Sequence, residues 1–348
     1  MTTPSIDTLI AARKARWQSF YDLSSPLRYL LLVNDADLLP PRPLPNLDLK
    51  KERIEWAWLV YQQRLQALEW LDDDRIPFLD VYTGTEIFAE AFGCPVQRSD
   101  DKMPFALPCV HSAAEAARLS VPDFGATPLA LLFEIADELR RRAGVPALLR
   151  LPDIQTPLDI VALIWDKQTF YPALLEAPEA VLELAEKVRE LLTAFLDAWF
   201  ARYGREFIAH YPDYYMPSGL TFSEDEVGAV SPRVFERLFL PELEFFARRY
   251  GGLGMHCCAH ARHQWPGFLR IPNLKLVNFV QPQAVLQAAE PFFAARAAQM
   301  HNWDPMPDFA AGPQGFALAG HHVFMSAASD RAAAIALARD FRQLWQPL

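Results

Sequence analysis

Apolar residues recur at helical spacing along Glu52–Leu71, at Ile54, Trp58, Leu65 and Leu68. They do so more cleanly along Glu179–Tyr203, where Val181, Leu184, Val188, Leu191, Phe195 and Trp199 share one stripe and Pro178 suits the first turn. Ser231-Pro232 reads as an N-cap followed by proline at the first helical position. It opens a helix to Tyr250 that Pro241 should kink. Ser329–Trp345 closes the chain as an amphipathic helix. Between these helices lie apolar runs of strand length: Leu27–Val33, Ile76–Tyr82, Ala147–Leu151, Phe207–Tyr211, Leu253–Cys258, Leu274–Val280 and Phe316–Phe324. Short apolar strands alternating with long helices predict parallel βαβ units whose sheet is buried on both faces. Seven such runs favour a (β/α)8 TIM barrel over an open sheet, with the eighth strand expected in Ala295–Trp303.

Asp35–Leu49 is Pro-rich and polar, and Ser99–Pro128 is irregular; both read as surface loops. No repeat, low-complexity tract or linker divides the chain. Residues 1–348 therefore read as one domain, with 1–75 supplying N-terminal helical additions and the first strand.

Composition narrows the function. With 51% hydrophobic residues the chain can build a large core. A net charge of −10 is the wrong sign for a general nucleic-acid binder, and no stretch reaches the length of a membrane span. Arg140–Arg142 and Arg248–Arg249 sit at helix ends, where they complement the helix dipole. Four cysteines, two of them adjacent, do not make a disulfide scaffold; they read as thiols in a reducing cytoplasm. The first residues show no uninterrupted apolar segment of the kind a secretory signal needs.

In a (β/α)8 barrel, reactive groups gather at the C-terminal strand ends. That rule brings Asp80, Tyr82, His210, Tyr211, His256 and Cys258 to one mouth, with His321 and His322 in the last strand. The densest segment is Gly251–His260, GGLGMHCCAH. Side chains at i and i+2 of a strand share a face, so His256 and Cys258 could grip one ion while Cys257 packs against helices. His260 and His263 fall in the following loop, and Cys94 and Cys109 read as structural. Alternation points only one of His321 and His322 inward, and His321 is the expected one.

Several segments in order resemble the uroporphyrinogen decarboxylase superfamily. They are Phe88–Pro95 (FAEAFGCP), Thr156–Trp165 (TPLDIVALIW), Ala177-Pro178-Glu179, Ser223–Pro232 (SEDEVGAVSP) and His256-Cys257-Cys258. The resemblance implies a (β/α)8 barrel. The superfamily holds both heme-pathway decarboxylases and zinc-dependent, corrinoid-linked methyltransferases. Decarboxylases carry an N-terminal signature rich in Arg, Gln, Gly and Tyr that binds propionates. This chain has SSPLRYLLLVND at Ser24–Asp35, with Arg28 as the one remnant. A substrate with eight carboxylates calls for several cations, so the decarboxylase branch fits less well.

The methyltransferase branch has His-x-Cys and a later Gly-Cys, which together bind a zinc ion that activates a thiol toward a methyl group carried on a corrinoid. No cysteine follows Cys258 here, and the Gly-Cys position is matched by Gly320-His321. The resemblance thus implies a zinc held by His256, Cys258 and His321. Asp80 is expected as a catalytic proton donor and Asp225 as a catalytic acid/base or a metal ligand, and Tyr82, His210 and Tyr211 as cofactor- or substrate-lining residues. Glu224, Tyr214 and the Met300–Trp303 cluster are further candidates for the mouth. The expected partners are a small-molecule substrate and a separate corrinoid carrier protein. Alternative readings are a uroporphyrinogen-type decarboxylase acting without metal and a non-catalytic ligand-binding barrel.

Overall fold

The central strands are apolar on both faces, because each face is covered by other parts of the chain. The computed structural model describes residues 4–34, 39–144, 147–304, 306, 308–309, 312–313 and 318–346. Its strands are β1 (Tyr29–Asn34), β2 (Phe78–Leu79), β3 (Val96–Gln97), β4 (Phe105–Ala106), β5 (Leu148–Leu149), β6 (Phe207–Ile208), β7 (Tyr215–Met216), β8 (Leu220–Ser223), β9 (Leu253–Cys257), β10 (Leu274–Phe279), β11 (Ala298–Gln299) and β12 (His322–Ala327). Six of them form one parallel sheet in the order β1-β12-β11-β10-β9-β8. β2 and β5 form a separate parallel pair. Isolated parallel bridges join Arg150 to Ile208 and Gln155 to Ser223, so the β5 pair leads towards β8.

On the other flank, β1 is met by side chains. Leu31 N–H donates to Asp74 Oδ2 (2.9 Å) and Val33 N–H to Asp73 Oδ2 (3.0 Å), while Asp74 N–H donates back to Leu31 O (2.8 Å). These carboxylates satisfy an edge that would otherwise be open for pairing. The architecture is therefore α/β with a parallel central sheet. The expected closed ring of eight strands does not occur as one continuous ladder among the described residues.

Helices wrap the sheet much as the periodicity requires. Pro178–Tyr203 buries its apolar stripe with Pro178 in its first turn, whereas Lys50–Ala67 buries Ile54 but leaves Trp58 and Leu65 half-buried, its inward face being Arg53, Ile54, Ala57, Val60, Tyr61 and Arg64. Ser231 accepts from Val234 N–H as the predicted N-cap. Pro241 has no N–H to give the preceding turn, and a π-helical turn over Phe235–Phe239 absorbs the mismatch before Leu240–Tyr250 resumes. The last helix is Arg331–Trp345, capped by Asp330.

Four strand expectations need correction. Phe207–Tyr211 forms strand only at Phe207–Ile208 and turns back antiparallel onto β7, because Pro212 and Asp213 (φ 72°) make a tight turn; His210 and Tyr211 lie in it. β8 was unforeseen, since Thr221 and Ser223 alternate with Leu220 and Phe222 and leave too short an apolar run. β9 ends at Cys257, so Cys258 lies just past the strand. β12 begins at His322, and the expected start at Phe316 and Ala317 falls outside the described residues. β11 supplies a strand inside Ala295–Trp303, as expected.

Candidate functional site

Parallel register aligns the ends of β8, β9 and β10, so Ser223, His256 and Asn278 stand in one row. His256 Nδ1 lies 2.6 Å from Asn278 Oδ1. A carboxamide oxygen only accepts, so Nδ1 carries the proton and the Nε2 lone pair is free to face outward. Asn278 is fully buried and is itself held, its amide donating to Met300 O and to Asn302 Oδ1 (3.2 Å). Asn302 in turn donates to the Tyr211 hydroxyl at 2.6 Å. The Tyr211 ring meets His256 edge-on, with 4.8 Å between centroids. The imidazole is thus fixed in tautomer and in plane.

Beyond β8 the chain turns through Glu224 and Asp225. Asp159 shapes this turn, accepting from Asp225 N–H (2.8 Å) and Glu226 N–H (3.0 Å). Glu224 is fully buried, bonded by the Thr156 hydroxyl and close to Asp159. Burial, then the Asp159 charge, pushes Glu224 well above the carboxylate range, while burial lifts Asp159 to about 6. Asp225 therefore rests on a carboxyl pair that keeps a proton near neutrality.

The Asp225 carboxylate accepts from Cys258 N–H (2.6 Å), Ala259 N–H (3.2 Å) and the Cys258 thiol (2.9 Å). Burial and this carboxylate push the Cys258 thiol up to about 12. Ligand atoms of Asp225, His256 and Cys258 all lie within 4.8 Å of one another. One oxygen, one nitrogen and one sulfur donor make a set that zinc accepts; its ligands stand about 3.3–3.7 Å apart at bond lengths of about 2.0–2.3 Å. A small inward movement suffices to close that gap. Three protein ligands would leave a fourth position open for substrate. A cation here would also reverse the pressure that keeps the thiol protonated.

This trio lines a cavity of about 630 Å³, a size suited to a small molecule. Tyr82, Arg42, Arg150, Asp153 and His210 line the same cavity. Arg42 stacks over Tyr82 at 4.3 Å. Arg150 is buried and bonded to Asp80 (3.2 Å), Asp213 (3.2 Å) and the His210 carbonyl. His210 Nε2 sits 2.8 Å from Ser223 Oγ and 3.2 Å from Asp153 Oδ1; burial drives its pKa well below the ordinary imidazole value.

The structure brings together most of the residues singled out from the sequence. Asp225, His256, Cys258, Tyr82, His210 and Tyr211 all line this cavity. Asp225, expected as an acid/base or a metal ligand, stands at the ligand cluster. Asp80 lies beneath the wall, clamped by Arg150. His321 does not join the cluster. It precedes β12, its Nδ1 bonding Phe20 O at 2.7 Å and its ring lying against Phe20, at the end of the strand away from the mouth. His322 is buried with its Nε2 against the Glu290 carboxyl and the Ala319 carbonyl. Arg28 bonds Gly320 O beside the same far end.

Sequence reasoning missed Asn278, Arg42, Arg150, Asp153 and Ser223. Asn278 had a visible signal, as the one amide in the apolar run Leu274–Val280. Arg42 was hidden in a segment that reads as a surface loop.

No protein-family profile matches the chain, and no curated protein matches it. Among solved structures the chain is similar to a methyltransferase from Methanosarcina mazei, with a TM-score of 0.62 and 11% identity over 94% of this chain and 98% of that one. At that identity the likeness is one of fold. Among the described residues no helix is long and apolar enough to cross a membrane.

Proposed function

We propose that this protein is a zinc-dependent methyltransferase on a (β/α)8 barrel, moving a methyl group from a corrinoid on a separate protein to a small thiol-bearing acceptor. Asp225, His256 and Cys258 would hold the zinc. The observation that carries the reading is this trio on a cavity wall, with His256 oriented by the buried Asn278. Amide and carboxylate partners of a ligating histidine are the usual outer support of a metal site. Bound zinc would supply Lewis acidity that stabilises the acceptor's sulfur as a thiolate.

The fold likeness to a methyltransferase agrees with this reading. The barrel is supported by the two parallel bridges that link the β2–β5 side to β8, and by the backbone bond from Asp74 to β1. The cavity admits a small acceptor, whereas a corrin ring would present its methyl group at the mouth. Tyr82 and Arg42, stacked on one another, line the same cavity and would orient the acceptor.

The test is metal analysis of protein purified without chelator, followed by incubation with methylcobalamin and 2-mercaptoethanol. The reading expects about one zinc per chain, lost in His256→Ala and Cys258→Ser, and loss of the methyl–cobalt absorption with formation of the thioether. Fully folded protein that binds no zinc would sink it.

A further inference from the structure

We infer that Asp153 is the base that takes the proton from the acceptor's thiol. The inference rests on the zinc methyltransferase reading and assigns a proton path to the same cavity. Asp153 lies beyond β5, where its backbone N–H donates to Thr83 Oγ1 at 3.0 Å, and it lines the cavity with Asp225, His256 and Cys258.

The other carboxylates around this cavity are committed. Asp213 is paired with Arg150 at 3.2 Å and Arg75 at 3.7 Å, and Asp80 is clamped by Arg150. Asp225 is filled by two backbone N–H groups and a thiol. Asp153 has no arginine within ion-pair distance among the described residues. Its close side-chain partners are His210 Nε2 at 3.2 Å and Ser223, and its Oδ1 is a buried oxygen with no well-aligned donor. A buried acceptor of that kind gains most from receiving a proton.

Its charge environment agrees. Burial lifts Asp153 to about 6, against the pull of Arg150 and His256. The charged or titratable groups facing it are Arg150, His210, His256, Asp225, Tyr82 and Glu86. A base poised near the working pH is the one that transfers protons efficiently. His210, kept neutral by burial, and Ser223 act as positioning residues that hold the carboxylate towards the cavity.

The step balances. The acceptor's S–H bond breaks, its proton passes to an Asp153 oxygen, and sulfur keeps the electron pair. That pair forms the S–C bond as the bond from the methyl carbon to its corrinoid cobalt breaks, the breaking bond's electron pair staying on cobalt, and Asp153 then returns its proton to water.

Cobalt(II)-loaded protein tests this without methyl transfer, because capture of 2-mercaptoethanol as thiolate gives a sulfur-to-cobalt absorption band. Stopped-flow mixing should show capture slowed about 100-fold in Asp153→Ala and Asp153→Asn at unchanged metal content. Capture should recover in Asp153→Glu, and in Asp153→Ala on adding formate, which a packing role would not explain. Unchanged capture in the two neutral variants, a slow Asp153→Ala that formate does not rescue, loss of metal from them, or no band in the unmodified protein would each overturn the inference. A separate assay with methylcobalamin reports on the underlying reading: Asp153-dependent capture without methyl transfer would defeat that reading and leave the inference standing.

Discussion

His256 Nδ1 and Asn278 Oδ1 meet at 2.6 Å across neighbouring parallel strands, and Asn278 is fully buried. The pair decides which imidazole nitrogen can reach the cavity. Replacing Asn278 by Ala leaves Nδ1–H unpaired and lets the ring turn. Zinc affinity should fall about 10- to 100-fold, the usual cost of losing an outer partner. Competition with a chromophoric chelator measures it, and an unchanged affinity would remove Asn278 from the site.

Asp225 and Cys258 are bonded through the thiol at 2.9 Å, and that contact helps burial push the thiol up to about 12. In metal-free protein, Asp225→Asn should lower the thiol pKa, because the thiolate no longer faces a negative neighbour. Alkylation of Cys258 by iodoacetamide at pH 8 should therefore speed up several-fold in the variant. Zinc should protect the thiol in the unmodified protein and much less in Asp225→Asn. Equal alkylation rates would show that burial alone sets this thiol.

The alternation of strand-length apolar runs with amphipathic helices was legible, because burial on two faces leaves an unbroken apolar signature. β8 was not, since Thr221 and Ser223 place two buried hydroxyls between Leu220 and Phe222 and beyond it, and so break the run. His256 and Cys258 stood out through spacing alone. Their third companion did not: Asp225 comes from the turn after an unforeseen strand, and only the β8–β9 register sets it beside Cys258. His321 was chosen by matching a Gly-Cys pattern at the far end of the chain. Because β12 starts one residue after it, His321 lies at the strand's opening and away from the mouth. Arg42 and Asp153 sit in segments without periodicity, where sequence pattern says nothing about direction.

That placement gives His321 a different role to test. Its Nδ1 bonds Phe20 O and its ring packs on Phe20, tying the N-terminal helix Ile6–Tyr21 to the start of β12. His321→Ala should leave zinc content unchanged and cost about 1–3 kcal/mol of stability. Urea unfolding beside metal analysis separates the two roles, and loss of zinc at intact stability would restore His321 as a ligand.

Glu86 gives the fold a pH dependence of its own. It is 2% exposed, and burial lifts its carboxyl to about 7 despite Arg98 nearby. In the unfolded chain the same group titrates at about 4.3. Between those values the native state binds more protons than the unfolded state, so this group's contribution is fully present below pH 4 and is lost as pH rises through 7. Glu86→Gln stays neutral throughout and escapes that loss. Relative to the unmodified protein, the variant should gain about 2.5 kcal/mol between pH 5 and pH 8. Urea midpoints at the two pH values check it: a gain that does not grow with pH would mean Glu86 ionises in the folded protein at its ordinary value.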